Sequence, residues 1–389
     1  MRYALRSLGP ELLKAAGRFP ALILTGPRRA GKTTLLRHLF PRATHVLLED
    51  PDVVARFRAD PSGFLDDLRL PVILDEIQNL PILFNYIRAR IDAHPRLRGR
   101  WLITGSQEAP LMKGVTESMA GRAAVFSLLP LSHEESPRVS PHLGGYPEVL
   151  SSPAASESWF RSYIQTYLER DVRAVSSIRD LATFRRFLAL VASRCGTLLN
   201  RTDIAAPLGV SVPTITEWLG ILEVTGQIAL IPPFYENFGK RLVKSPRIYF
   251  VDSGLACHLL GITSAAALKV SPFRGAIFES YVASEILKYR LNRGRSRNLY
   301  CFRDQQGLEV DFVVDLGNRK LLLLEAKATR TPRPDLARSL AALAKSVRPH
   351  DCRPYLVHSA GGEAAKPASL LPGVRSVGVD ALGSILEGW

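Results

Sequence analysis

Gly26, Pro27, Arg28, Arg29, Ala30, Gly31, Lys32 and Thr33 fit the pattern G-x-x-x-x-G-K-[ST], a spacing suited to holding a polyphosphate. Its glycines let successive backbone N–H groups converge on phosphate oxygens, and the N-terminus of a following helix adds partial positive charge. Lys32 is expected to reach the outer phosphates and the Thr33 hydroxyl to hold Mg²⁺, with Thr34 also among the nucleotide-binding residues. A second reactive pair is Asp75-Glu76. A carboxylate ending a strand beside such a loop can hold the Mg²⁺ hydration shell, the role expected of Asp75. Glu76 can polarise the attacking water. At Gly105-Ser106, the Ser106 hydroxyl can sense the outermost phosphate. This constellation points to a nucleoside triphosphate, with ATP and Mg²⁺ as cofactors.

The elements around these residues have the required character. An apolar strand-like run, Ala21–Leu24, leads into the loop, and Thr33–Phe40 reads as a helix. Leu70–Leu74 is a buried-strand run that delivers Asp75, with its proline near the tolerated start. Together with His45–Leu48, Trp101–Thr104 and Ala123–Leu128, these strands alternate with helices as a parallel α/β sheet does, over residues 1–150. Arg122 immediately precedes the last strand. It is either an arginine finger reaching a neighbouring subunit's nucleotide or a surface residue.

A chain of 389 residues allows two or three domains. Its formal charge of +15 alongside 46% apolar residues describes a folded basic protein and excludes a disordered one. Such an excess of Arg and Lys suits a polyanion, nucleic acid above all, though an arginine-rich surface gives the same balance. Cys195, Cys257, Cys301 and Cys352 form no C-x-x-C pair and read as reduced thiols of a cytoplasmic protein. No apolar run has the length of a membrane span, and the N-terminus lacks the parts of a signal peptide, so no membrane partner is expected.

Ser132–Ser156 is rich in Ser, Pro and Gly and reads as a linker or loop. Residues 151–190 follow as a helical lid. There Trp159, Phe160, Tyr163, Tyr167 and Val172 recur at helical spacing as core packing, and Glu169, Arg170, Asp171 and Arg173 read as local ion pairs or a sensor arginine. Residues 191–260 carry a winged helix–turn–helix pattern. Thr202-Asp203 caps a helix to Leu208, Gly209–Ser211 turns, and Pro213 opens a second helix burying Ile215, Leu219 and Leu222, with Thr214, Thr216, Glu217 and Trp218 elsewhere. A strand at Ile228–Ile231 and a basic hairpin with Lys240, Arg241 and Lys244 complete it. The outward Glu217 argues against base reading and the basic wing argues for DNA; a protein-docking module is the alternative.

Residues 265–389 hold a second constellation. Leu308–Asp315 alternates as a strand, turns at Gly317-Asn318, and returns through Lys320–Leu324 into Glu325-Ala-Lys327. Asp311 followed by Glu325-x-Lys327 has the form of a PD-(D/E)xK nuclease signature, in which two carboxylates share a divalent cation and a lysine orients water. Spacing by two puts Glu325 and Lys327 on one strand face. Glu279, on an upstream helix, could add a third carboxylate. Either an active nuclease or an inactive nuclease-like α/β fold is compatible with these residues.

The chain as a whole resembles a family of bacterial and archaeal ATP-binding proteins that join an AAA-type ATPase, a winged helix and a nuclease-like C-terminal domain. The resemblance rests on Gly26–Thr33, Leu74–Gln78, Thr104–Ser106, Gly121-Arg122, Leu168–Asp171, Lys240–Pro246, Tyr249–Gly254, Phe278-Glu279 and Glu309–Lys327. It implies an oligomeric ATPase associated with DNA. The expectation is an Mg²⁺-dependent motor or remodeller in a ring, a hexamer before other sizes, with nucleotide between subunits. A nucleotide-gated signalling or defence switch that binds protein and an ATP-regulated nuclease are the alternatives. Asp252-Ser253-Gly254 has no evident chemistry and reads as a turn.

Overall fold

In a computed structural model, residues 3–105, 118–168, 180–234, 245–347 and 349–387 are described. The chain divides into two compact units: residues 1–131 with 224–226 and 291–295, and the remainder. Ser132–Leu150, expected to belong with the first domain, falls in the second unit with most of the chain that follows it.

The first unit is built on five parallel strands: β1 (Ala21–Thr25), β2 (Thr44–Leu47), β3 (Val72–Asp75), β4 (Trp101–Thr104) and β5 (Ala123–Ser127), in the order β2-β3-β4-β1-β5. Period-two alternation of β1 explains its central place. Ala21 and Ile23 join an apolar cluster with Val72, Leu74, Phe84 and Ile103. Leu22 and Leu24 join the opposite cluster with Leu12, Leu35, Leu36 and Leu102. A strand buried on both faces must be apolar throughout, as Ala-Leu-Ile-Leu is. Helices Gly9–Ala16 and Lys32–Leu39 contribute to the second cluster, and Leu83–Ala93 to the first. All strands point their C-terminal ends to the same edge, where a parallel α/β sheet gathers its functional loops.

In the second unit, Ser132–Ser156, expected as a linker or loop, includes a short helix and buried side chains. Pro147–Ser151 is helical, with Tyr146, Val149 and Leu150 buried. Asp252 provides the physical reason. It caps helix Ser253–Leu259 by accepting from Leu255 N at 3.0 Å, and its other oxygen accepts from Gly145 N at 2.7 Å. At Gly254 a Cβ would lie 2.3 Å from the Leu143 carbonyl. Asp252-Ser253-Gly254 is therefore a buried clasp on the glycine loop, not a plain turn. Tyr146, Trp159, Phe160 and Tyr163 pack into one aromatic cluster, as core spacing implies. Tyr163 lies in the helix Ser156–Tyr163. The side chain of Tyr167, and all of Val172, Glu169, Arg170, Asp171 and Arg173, lie outside the described residues.

Helices Arg201–Leu208 and Val212–Val224 flank a left-handed Gly209, at the place of the expected turn. Asn200, rather than Thr202-Asp203, is the cap: its side chain accepts from Thr202 N and Asp203 N. Trp218 also departs from expectation. It is buried against Phe184 and Phe187, because the inward stripe of this apolar helix is wider than Ile215, Leu219 and Leu222 alone. Strands β6 (Ile228–Ile231) and β7 (Arg247–Phe250) pair antiparallel; Lys240, Arg241 and Lys244 between them lie outside the described residues.

The C-terminal part is a mixed six-stranded sheet. Its strands are β8 (Leu299–Arg303), β9 (Glu309–Asp315), β10 (Lys320–Lys327), β11 (Asp351–His358), β12 (Ala368–Leu371) and β13 (Val374–Gly378), in the order β12-β13-β11-β10-β9-β8. The expected hairpin is β9–β10, with Leu324 opposite Phe312. Helix Arg274–Leu291 carries Glu279. Among the described residues, no single helix is long and apolar enough to cross a membrane.

Candidate functional site

The loop from Gly26 to Gly31 joins the end of β1 to helix Lys32–Leu39. Gly26 has φ +134°, and a Cβ there would meet the Leu128 carbonyl at 2.1 Å, so this position needs glycine. Gly31 is left-handed at the helix N-cap with φ 93°. Pro27 and Ala30 complete the curve, closed by Ala30 N on the Pro27 carbonyl. Arg29 also has positive φ. Arg6 braces the loop from outside the motif: it donates to the carbonyls of Ala30 at 2.8 Å and Leu129 at 2.6 Å. Lys32 is buried and donates to the carbonyls of Gly26 and Pro27, both at 3.0 Å. Its ammonium is thus held over the cradle where phosphate oxygens would be acceptors. Thr34 stands in the first turn of the helix, beside Thr33.

Asp75 ends β3 and collects hydroxyls. Thr33 Oγ1 lies 2.8 and 3.0 Å from its two oxygens, Thr104 Oγ1 donates to it from the end of β4, and His45 Nε2 lies 3.2 Å away. A hydroxyl beside a carboxylate is a hard-oxygen donor set that suits Mg²⁺, so Thr33 and Asp75 fit the ion expected of them. Thr104, not a residue that sequence reasoning singled out for this role, also accepts from Glu76 N at 3.2 Å. Ser106 lies outside the described residues.

Glu76 sits in the left-handed region at φ 60°, ψ 52°. Non-glycine residues held there cost on the order of 1–3 kcal/mol and cluster at functional sites. Its carboxylate accepts from Gln78 Nε2 and lies 3.9 Å from Arg28 Nη1, which is also 3.6 Å from Glu49. Sequence reasoning missed His45, Gln78 and Arg6, whose partners are fixed only by the fold.

Arg122 lies at the other end of the sheet. Ala123 pairs with Ala21 at the start of β1, whereas the phosphate loop follows its end. Four residue steps separate the two along β1, about 13 Å. The guanidinium grips Asp92 in a bidentate pair at 2.6 and 3.0 Å and does not approach its own chain's phosphate loop.

In the C-terminal sheet, β9 and β10 bring Asp311, Glu325 and Lys327 together, and helix Arg274–Leu291 adds Glu279. Lys327 Nζ lies 2.7 Å from Glu325 Oε1, and Asp311 Oδ2 accepts from Ala326 N at 3.0 Å. Arg247 of β7 enters the same group, 2.9 Å from Asp311, 3.0 Å from Glu279, and paired with Glu309. Burial, reinforced by the Asp311 charge, pushes Glu279 up to about 8 and Glu325 up to about 7. Among the described residues, no group of three or more His, Cys, Asp or Glu side chains is arranged to hold a metal ion. Of the expected cation pair, Asp311 faces Arg247 and Glu325 faces Lys327.

Comparison with known proteins matches three successive segments of the chain. Residues 18–136 match the AAA domain family; residues 142–266 and 274–367 match two domains of unknown function, DUF8612 and DUF4143. The chain is 33% identical over 334 residues to the uncharacterized protein Rv2008c of Mycobacterium tuberculosis and equally to Mb2031c of Mycobacterium bovis, covering 84% of this chain and 74% of each relative. Among solved structures it resembles the Walker-type ATPase of Pyrococcus abyssi, at 16% identity and a TM-score of 0.44, over 65% of this chain and 94% of that one. The chain belongs to the family of the two mycobacterial proteins, and in it an AAA domain precedes the two domains of unknown function.

Proposed function

We propose that this protein is an Mg²⁺-dependent ATPase that assembles into a ring and acts as a motor or remodeller on DNA. The observation that carries the ATPase reading is the convergence of the Thr33 and Thr104 hydroxyls on Asp75, with Glu76 N donating to Thr104, beside a phosphate loop with Lys32 inside it. Backbone N–H groups of the loop and the helix N-terminus bind phosphate oxygens. Lys32 exchanges two backbone carbonyls for the outer phosphates. Thr33 and Asp75 would hold Mg²⁺, which supplies charge neutralisation at the transferring phosphoryl group. Glu76 orients water and takes its proton once its contacts with Gln78 and Arg28 give way. Ser106, two residues after Thr104 in sequence, is assigned to sense the terminal phosphate.

Arg122 acts on a neighbouring subunit, since its own phosphate loop lies at the far edge of the sheet. The charge of +15 supports a polyanionic partner, and Lys240, Arg241 and Lys244 are the contacts assigned to DNA. One observation favours a second reading, a nucleotide-gated switch that docks protein. The exposed positions of helix Val212–Val224 include Thr216 and Glu217 but no Lys or Arg. ATP hydrolysis measured with single-stranded, duplex and branched DNA, with oligomer mass followed alongside, tests both. DNA stimulation in an oligomer supports the motor; hydrolysis indifferent to every DNA favours the switch.

A further inference from the structure

Arg247 is 3% exposed, and among the described residues its ion-pair partners are three carboxylates: Glu279 on the helix, Glu309 and Asp311 on β9. Its Nη1 alone is shared between Glu279 and Asp311, at 3.0 and 2.9 Å. Tyr249, two residues along β7, donates to the same Glu279 oxygen. Lys327 covers the remaining carboxylate, Glu325. A divalent cation shared by Asp311 and Glu279 would have to stand where the guanidinium now stands, because both need the same oxygens.

We infer that the carboxylate group of the C-terminal sheet is the receptor for Arg247 of the same chain, and that this arginine occupies the cation position and excludes a divalent metal. A guanidinium is planar, permanently charged and weakly hydrated, which suits it to a buried multi-carboxylate seat better than a hydrated ion. The consequence is mechanical. Arg247 clamps the β6–β7 ribbon to the six-stranded sheet, and the clamp continues in the backbone. Cys301 N donates to the Pro232 carbonyl at 2.9 Å, and Phe234 N donates to the Cys301 carbonyl at 2.8 Å. The ribbon is thus tied to the sheet by side chains and by backbone. Nuclease chemistry is not needed to explain why Asp311, Glu279 and Glu325 stand together.

Nucleotide-free full-length protein titrated with Mn²⁺, with bound metal read by electron paramagnetic resonance, tests this. Wild type should bind no Mn²⁺ that Asp311→Asn removes. Arg247→Met, which keeps the apolar stem and deletes the charge, should gain about one equivalent, lost again when Asp311→Asn is added. A wild-type Mn²⁺ equivalent that disappears in Asp311→Asn would overturn the inference, as would a folded Arg247→Met protein that gains none. Should Arg247→Met fail to fold, the comparison of wild type with Asp311→Asn still decides.

Discussion

Arg28, inside the phosphate loop, lies 3.9 Å from the carboxylate of Glu76, the residue expected to activate water. Gln78 holds that carboxylate as well. The group proposed to activate water is therefore engaged with the loop proposed to bind the nucleotide, which would link binding to activation through Arg28. Glu76→Gln keeps the shape of this arrangement and loses the base. Hydrolysis should fall on the order of 10²-fold or more while ATP stays bound. Lys32→Ala should instead weaken nucleotide binding itself. Filter binding and phosphate release separate the two, and equal turnover in wild type and Glu76→Gln would remove Glu76 from the mechanism.

If Arg122 serves a neighbour's nucleotide, Arg122→Ala should abolish turnover and leave affinity nearly unchanged. Its pair with Asp92 lies at the surface, so the substitution should cost little stability. Mixing Arg122→Ala with Lys32→Ala protein should restore part of the activity, because some interfaces then combine an intact loop with an intact arginine. Full activity in a monomer would exclude this role.

Asp252 is buried and satisfies backbone N–H groups of two segments, Leu255 and Gly145. Asp252→Ala removes a helix cap and leaves Gly145 N without that acceptor. Each loss is worth about 1–2 kcal/mol, so a destabilisation of about 2–4 kcal/mol is expected in urea unfolding. A loss below about 1 kcal/mol would show that the clasp is incidental.

These cases also mark what could be read from the chain. The phosphate loop, Asp75 and the β1 alternation are local patterns: each residue's role follows from neighbours within a few positions. The β9–β10 hairpin was legible for the same reason. Asp252 was not, because its partner Gly145 lies 107 residues away. Arg6 grips Leu129 across 123 residues, and Arg247 meets Asp311 across 64. A solitary arginine carries no periodic signal, and composition made the segment that Asp252 fastens look like a linker. Trp218 was misplaced for a different reason: in a helix apolar on most sides, spacing alone does not say how wide the buried stripe is.

The buried carboxylates give the protein a pH signature. Glu279 is raised from 4.5 to about 8 by burial and by Asp311, against the opposing pull of Arg247, Tyr249 and Lys327; Glu325 is raised to about 7 by burial and Asp311, against Lys327. Arg303, paired with Glu309, is a further cation nearby. A carboxyl with a raised folded pKa binds its proton more tightly in the folded state than in the unfolded one. Its contribution to stability is complete below the unfolded value of 4.5 and is lost as pH rises through the folded one. These two carboxyls therefore lower the unfolding midpoint between about pH 5 and pH 8, against the opposite contribution of His142, His258 and His358, whose pKa burial lowers. Glu279→Gln removes the titration that extends furthest, so its profile should flatten above about pH 7 while the Glu325 part persists below. Because the substituted amide is neutral throughout, the variant should gain on wild type as pH rises, provided that amide still accepts from Tyr249. Parallel profiles for the two proteins would mean that Glu279 is ionised across this range and is neutralised by Arg247 alone.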